Sequence, residues 1–273
     1  MNSRAFFINV GIVVASMAVA AGIEAFLPLF GRGESSRGRA RANLSLTALN
    51  FAFSWVLSSV TAILALSLRP AGLLAAIRMP IALQVIITIV VLDFMYGYAS
   101  HVLLHKISLM WRFHQVHHND PFVDVTTNFR THPIETLWRF LFMTIPIWAF
   151  GLPASAVVIY RFMGTMNGVL EHANIRLWQP LDKFGCVIWV TPNMHKVHHS
   201  NEQLETDSNY GNILSIYDRV FSTFTSTERA HHVVYGLKET DPADTRSFLG
   251  LLSQPFAAAR RDRMKPATLK ASG

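Results

Sequence analysis

Charge and sulfur are both scarce in this chain. Of its 273 residues only 15% are Asp, Glu, Lys or Arg, while 51% are hydrophobic, a balance too apolar for an ordinary soluble domain. Cys186 is the single cysteine, so no internal disulfide can form, which suits a reducing compartment. Several binding signatures are missing too. There is no G-x-G-x-x-G and no Walker A sequence, so neither a dinucleotide nor ATP is indicated, and no H-E-x-x-H marks a metalloprotease helix. The paired Glu and Glu-x-x-His units of soluble di-iron bundles reduce to one match in a polar region, Glu228-x-x-His231.

What the chain does have is apolar length. Runs able to cross a bilayer core, which takes roughly 20 helical residues, occupy 5–30, 44–68 and about 81–98. A fourth region, 140–170, is interrupted by Pro146 and by Gly151-Leu152-Pro153, and reads as two spans or as a hairpin that dips in and returns. The expected fold is an all-α integral membrane protein with about four transmembrane helices and a cytoplasmic, histidine-rich helical cap. Its parts would be N-terminal spans and linkers over 1–80, a histidine-bearing catalytic domain over 81–230 and a basic tail over 231–273.

Orientation follows from the positive-inside bias. Arg32, Arg37, Arg39 and Arg41 put the 31–43 loop in the cytoplasm, the short 69–80 segment outside, and everything after the third span back inside, including Arg260, Arg261, Arg263 and Lys265. The formal charge of +7 fits attraction to anionic headgroups. Nucleic acid is a poor competitor, since the charges flank spans and form no single basic face. The start could also be read as a cleaved signal peptide ending near Ala18-Val19-Ala20, but the apolar run continues past that point. Glu24 would pair with an arginine or snorkel.

Histidine is the abundant chemistry, with twelve in the chain. They spell His101-x-x-x-His105, then His114-x-x-His117-His118, then His195-x-x-His198-His199, the last two within a repeated H-x-V-H-H. Residues at i, i+3 and i+4 share a helix face, so each group presents convergent imidazoles. A lone histidine is usually a surface or hydrogen-bonded core residue, but eight in three such groups at a membrane edge are costly to bury unless something binds them. His172 follows an apolar stretch and is a ninth candidate ligand. His132 is open between ligand, hydrogen-bond donor to a ligand and loop residue; His231 and His232 read as solvated loop. Nine imidazoles exceed one ion's needs, because a zinc takes four ligands at most in structural sites. Two ions with about four nitrogens each account for the number, and imidazole suits iron, zinc and copper alike.

The words Asp93-Phe94-x-Tyr96-x-Tyr98-x-x-His101-x-x-x-His105, Leu109-x-Trp111-x-x-His114-x-x-His117-His118, His172-Ala-Asn174, Thr191-Pro192-x-x-His195-x-x-His198-His199, Asp207-x-Asn209-Tyr210-Gly211 and Tyr217-Asp218-Arg219-x-Phe221 carry a resemblance. In this order, over 93–225, the chain resembles the fatty acid hydroxylase/sterol desaturase superfamily. The resemblance implies membrane helices under a cytoplasmic cap and a non-haem centre of two Fe ions, which zinc can replace at labile imidazole sites. It also implies O2 as co-substrate, a lipid substrate from the bilayer that is hydroxylated or desaturated, and a separate electron-transfer protein. The chain lacks a fused cytochrome b5 haem motif, since His132-Pro133 runs into Ile134-Glu135. Ser222-Thr223-Phe224 departs from the Gly-Thr that many members place after the Phe. No side-chain general base is required for such chemistry, so no catalytic residue is expected beyond the metal ligands.

An all-imidazole shell leaves the ions strongly positive, so carboxylates behind the rings would orient them and offset charge. Candidates are Asp93, Asp124, Glu135, Glu171, Asp207 and Asp218, with Asn209 and His132 as neutral partners. Asp93 lies about 12 Å of helical rise below His101, so it would cap a neighbouring element, bond a polar neighbour such as Tyr, or line the substrate path. Asn209-Tyr210-Gly211 would shape a turn, with Gly211 at positive φ. Trp111, Trp138 and Trp189 fit an interfacial belt. The competing class is a membrane zinc hydrolase or non-catalytic metal-binding protein. The absence of sorting signals leans toward a bacterial cytoplasmic membrane over endoplasmic reticulum. The two H-x-V-H-H words are best read as two helical clamps, since nothing around them repeats.

Overall fold

The computed structural model describes residues 3–33, 38–68, 72–74, 77–238 and 244–264; Arg37, Lys265, most of the linker around 70 and part of the tail lie outside them. The described chain is all-α. Two long helices open it, α1 (Ser3–Phe26) and α2 (Arg39–Leu68), followed by α3 (Ile81–Leu92). The third helix does not stop at Leu92. It widens into a π-helical stretch over Asp93–Ala99 and continues as α4 (Ser100–Lys106). Phe6–Phe26 and Ile81–Lys106 are long and apolar enough to cross a membrane, and most of their side chains are not buried inside the protein, as helices facing lipid require.

After one residue, Ile107, α5 (Ser108–His118) turns away from that span. A capped 3-10 turn at Val125–Thr127 leads to a helical hairpin, α6 (Pro133–Phe150) and α7 (Ala154–His172). A hairpin is one of the two readings that its breakers left open, and each breaker does local work. Gly151 takes φ 65°, a left-handed C-terminal cap that glycine adopts without strain. Leu152 and Pro153 then turn the chain, and Pro146 is accommodated inside α6. Past His172 the elements shorten: α8 (Gln179–Gly185), α9 (Pro192–His198), α10 (Gln203–Thr206), α11 (Ile216–Val220) and, after a stretch of loop, α12 (Phe248–Met264).

The two ends of the molecule differ. At one end the Leu73 and Leu74 amides bond the Ala149 and Phe150 carbonyls near the hairpin tip. At the other end α1, α2, α5 and the exit of α7 converge. Glu24, at the end of α1, accepts the backbone amides of Val125 and Asn174 at 2.9 and 2.8 Å and faces Arg32 at 3.4 Å. Arg39, at the start of α2, is buried against Asp120 and Asp124. The arginine loop therefore shares a side with the histidines that precede Asp120, as the charge bias implied.

Under the histidine helices lies a buried polar network. Asp120 accepts from Arg39, Asn43 and Thr127 at 2.8–2.9 Å. Arg130, fully buried, reaches the Val116 carbonyl at 2.9 Å and Asn43 at 2.6 Å. Burial would raise the Asp120 carboxyl, but Arg39 and Arg130 hold it below the usual carboxylate range. Removing one member strands buried charge, which costs more than the bond itself. Asp120→Ala is expected to destabilise the detergent-solubilised protein by about 3–5 kcal/mol, read as a shift in its denaturation midpoint.

Candidate metal centre

Nine imidazoles meet where α4, α5, α7 and α9 converge, and every ring is buried. Local sequence places each helix end. Thr191 caps α9 by accepting the Met194 amide at 3.2 Å, with Pro192 at the first helical position, and His199 sits at its C-cap. His172 is the last residue of α7, and His101 and His105 share one face of α4 a turn apart.

The nine fall into two groups. His101, His105, His114, His118 and His198 bring one nitrogen each within 4.8 Å of one another, and His117, His172, His195 and His199 do the same. This partition cuts across the sequence motifs. In each H-x-V-H-H the i and i+4 histidines stay together while the i+3 histidine crosses to the other group: His117 leaves α5 for the α9 group, and His198 leaves α9 for the α5 group. The expectation that each of these spellings presents one convergent set of imidazoles is corrected here. A residue at i+3 is displaced around the helix to the opposite side of i from i+4, so with two foci available one helix serves both.

The donor chemistry fits metal ions. His101, His198 and His172 point Nδ1 at the carbonyls of Tyr210, Ser208 and Gly168 at 2.7–2.8 Å. A carbonyl can only accept, so each of these Nδ1 atoms carries the proton and each Nε2 is a bare lone pair. Yet the Nε2 atoms of His101 and His198 stand 3.1 Å apart. In the second group the Nε2 atoms of His117, His172, His195 and His199 follow one another at 3.0–3.1 Å. The His101 and His198 lone pairs, facing each other at that distance, repel unless a cation lies between them. Several further nitrogens, including both of His118 and Nε2 of His105, have no hydrogen-bond partner among the described residues. Burial and neighbouring imidazoles push His117, His118, His195, His198 and His199 well below the ordinary imidazole range, which keeps them neutral and able to ligate. Both groups can therefore coordinate a metal ion.

Two of the carboxylate candidates touch these rings. Glu135, fully buried, lies 3.0 Å from His114 Nδ1 and accepts from Arg139 at 2.9 Å. Asp207 lies 3.3 Å from His105 Nδ1 and accepts from Lys106 at 3.1 Å and the Tyr210 hydroxyl at 3.4 Å. Partial burial would raise the Asp207 carboxyl, but the His105 and Lys106 bonds hold it well below the usual range.

The other candidates act elsewhere. Asp124 caps the 3-10 turn and pairs with Arg39, and Glu171 accepts from Asn167 at 3.1 Å. Asp93 accepts the Ile213 and Leu214 amides at 3.1 and 2.8 Å and has Tyr160 as a hydrogen-bonding neighbour, so the reading of a buried carboxylate bonded to polar neighbours describes its contacts. Asp218 accepts the Tyr210 and Gly211 amides, both at 2.8 Å. Asn209 ties the Met194 carbonyl to Thr225. His132 caps α6, taking the Ile134 amide at 3.2 Å, and joins neither group. The positive φ expected at Gly211 belongs to Asn209 (54°); Gly211 is needed for space, because a Cβ there would stand 2.8 Å from Val190 Cγ2 and 2.9 Å from the Leu214 carbonyl. Ser222, the departure from the family's glycine, has φ 57°, the conformation that glycine takes most easily.

Four contributors went unread in the sequence. Backbone carbonyls orient three rings and leave no trace in side-chain spelling. Tyr210 packs its ring 5.0 Å from His105 and 5.7 Å from both His101 and His198. Trp111, assigned to a belt, lies against His105 and His118 at 4.9 and 5.4 Å. Lys196, the variable letter of the second H-x-V-H-H, is buried with Nζ 2.8 Å from the Ala173 carbonyl, and burial pushes it down to about 7.

An all-imidazole, two-focus centre at the end of an apolar helix defines the class: a membrane-associated metalloprotein of the histidine-box kind. The fatty acid hydroxylase family model matches residues 85–223. The ornithine lipid hydroxylase OlsE of Rhizobium tropici is 32% identical over 67% of this chain and 53% of its own length. Alkylglycerol monooxygenases of Xenopus tropicalis and Caenorhabditis elegans are 31% and 28% identical, over 58% and 53% of this chain. The chain spans about half the length of the first relative and about a third of the others. No solved structure matches. The chain belongs to the fatty acid hydroxylase family.

The exchanged partition is testable by metal stoichiometry. His114→Ala/His198→Ala should leave one ion held as tightly as in the parent, because both changes strike the five-histidine group, whereas His195→Ala/His198→Ala removes one ligand from each group and should weaken both. A partition by sequence motif gives the reverse, and elemental analysis after mild chelation separates the two. Glu135→Gln, which weakens the support behind His114, should lower metal affinity by about 10–100-fold in a competitive chelator titration.

Proposed function

We propose that this chain is a di-iron oxygenase that uses O2 and externally supplied electrons to hydroxylate a C–H bond of a membrane lipid. The observation that carries the reading is the pair of buried, neutral, all-imidazole groups sharing α5 and α9 at the end of a membrane-length helix. His101, His105, His114, His118 and His198 would hold one iron, and His117, His172, His195 and His199 the other. When bound, the irons supply the O2 reduction and hydrogen abstraction that no amino-acid side chain performs.

The chain's own residues prepare that chemistry. The Tyr210, Ser208 and Gly168 carbonyls fix three rings in the tautomer whose Nε2 is free to ligate. Glu135 and Asp207 orient His114 and His105 from behind and place negative charge where an imidazole shell has none. Burial of every ring excludes bulk water, which protects an oxidising centre from side reactions.

Hydroxylation is preferred to desaturation because the relatives are named hydroxylase and monooxygenase. Their names also favour a polar-headed lipid, of the ornithine-lipid or alkylglycerol kind, as substrate. Four spans are proposed: α1, α2, α3 continued through α4, and the α6–α7 hairpin entering and leaving. The histidines face the cytoplasm, of a bacterium by preference, and a separate protein delivers electrons.

The test is anaerobic purification followed by turnover. Protein with about two irons per chain, one per imidazole group, should convert a lipid extract to species heavier by one oxygen atom, only with both O2 and a reductant. Full activity with zinc and no reductant would sink the proposal; loss of two hydrogen atoms instead would reassign it to desaturation. Single alanine changes at His114, His117, His118, His195, His198 or His199 should abolish turnover and leave membrane insertion intact, while changes at His231 or His232 should matter little.

A further inference from the structure

The segment after the last histidine motif does not stay level with the metal centre. Tyr210 packs at the height of His101, its carbonyl 2.8 Å from His101 Nδ1. The chain then runs along the span toward the bilayer interior. The Ile213 and Leu214 amides bond Asp93, and the Tyr217 hydroxyl donates to the Val90 carbonyl at 2.8 Å. Asp93 and Val90 precede His101 by eight and eleven residues, which is on the order of 12–16 Å of helical rise. From there the chain climbs back: Phe221 stacks on Phe94 and Tyr98 at 5.8 and 5.4 Å, and Thr223 Oγ1 lies 3.0 Å from the Tyr98 hydroxyl. The Asn209 amide closes the neck on the Thr223 carbonyl at 2.8 Å.

We propose that residues 210–223, with the 184–188 turn beside them, form a re-entrant wedge in the cytoplasmic-side leaflet whose outer face contacts lipid acyl chains. The proposal rests on reading 81–106 as a membrane span, and three observations support it. The first is depth, fixed by Asp93 and Val90. The second is backbone satisfaction: irregular chain survives at membrane depth only where its polar groups are paired within the protein. Here Asp93 takes two amides and Asp218 takes those of Tyr210 and Gly211, the Ser215 amide bonds the Ile188 carbonyl at 2.9 Å, and the Val190 amide bonds the Ile213 carbonyl at 2.9 Å.

The third is the outer face itself. Phe184, Val187, Ile188, Ile216, Val220 and Phe221 are all exposed, from 47% to 83%, and form a patch continuous with the span through the Phe221 stack. A face so apolar at that height is covered by acyl chains rather than by water. The charged exception, Arg219, is exposed, but its guanidinium is tied locally, with Nη2 2.8 Å from the Cys186 carbonyl and the group 3.9 Å from the Phe224 ring centroid. The wedge also gives the intramembrane carboxylate Asp93 a purpose: it is the anchor for the wedge backbone.

Single cysteines on a Cys186→Ser background test this in open membrane fragments with a charged, membrane-impermeant maleimide. The sites are Val220→Cys and Ile188→Cys on the wedge, Ile86→Cys on the span and Leu204→Cys on α10, all exposed positions where a small side chain leaves packing intact. A thiolate does not form in hydrocarbon, so the wedge sites should react at least about tenfold more slowly than Leu204→Cys and match Ile86→Cys. Brominated acyl chains should quench a bimane attached at position 220. Fast labelling at 188 and 220 with protection at 86 overturns the wedge and leaves the span. Fast labelling at all four sites overturns the span and the wedge together, and neither result touches the metal stoichiometry that tests the proposed function.

Discussion

Imidazole nitrogens held 3.0–3.1 Å apart in a dry interior are the constraint that organises this molecule. The His101–His198 pair, whose Nδ1 protons both go to carbonyls, is unfavourable alone and becomes favourable around a cation. The surrounding structure serves to keep the rings neutral, correctly protonated and unable to swing away: carbonyls on the far side of three of them, carboxylates behind two, and a buried arginine–aspartate network beneath α5. Structure of this kind is folded partly by what it binds.

The exchange of His117 and His198 between the groups follows from helix geometry under crowding. Four helices supply nine ligands, and none of them lines a focus alone. Using both the i/i+4 edge and the i+3 position lets α5 and α9 each face two ions. The π-helical stretch below α4 belongs to the same economy of space. At Gly97 a Cβ would stand 2.8 Å from Asp93 Oδ1 and 3.0 Å from Asn212 Cβ, so the widened turn and the missing side chain together admit the 211–214 backbone against the span.

Much of this was legible in the sequence because it depends on period and chemistry. Long apolar runs announce membrane helices, Gly151-Leu152-Pro153 announces the hairpin tip, and histidines at helical spacing announce ligands. Which ligand joins which focus was not legible, because the i+3 and i+4 positions differ only in the direction in which they diverge, and that direction acquires meaning once a second helix faces the first. Glu135 and Asp207 could be named as candidates, but so could Asp93, Asp124, Glu171 and Asp218. All six are buried or half-buried carboxylates, and only tertiary packing separates those that meet a ring from those that meet backbone amides or arginine. The descent of 211–221 left no signal at all, since α11 has five residues and no apolar run long enough to suggest the bilayer.

One residue, Ile107, separates α4, which ends the membrane-length stretch Ile81–Lys106, from α5. So short a joint leaves no slack between the span and the histidines on either side of it. The centre is thus a depth gauge: its distance from the bilayer midplane is set by the length of one helix. Under the function proposed above, a lipid anchored by its headgroup at the surface would present to it carbons a fixed distance below that headgroup, and the position of attack along the substrate would be a property of membrane geometry as much as of pocket shape.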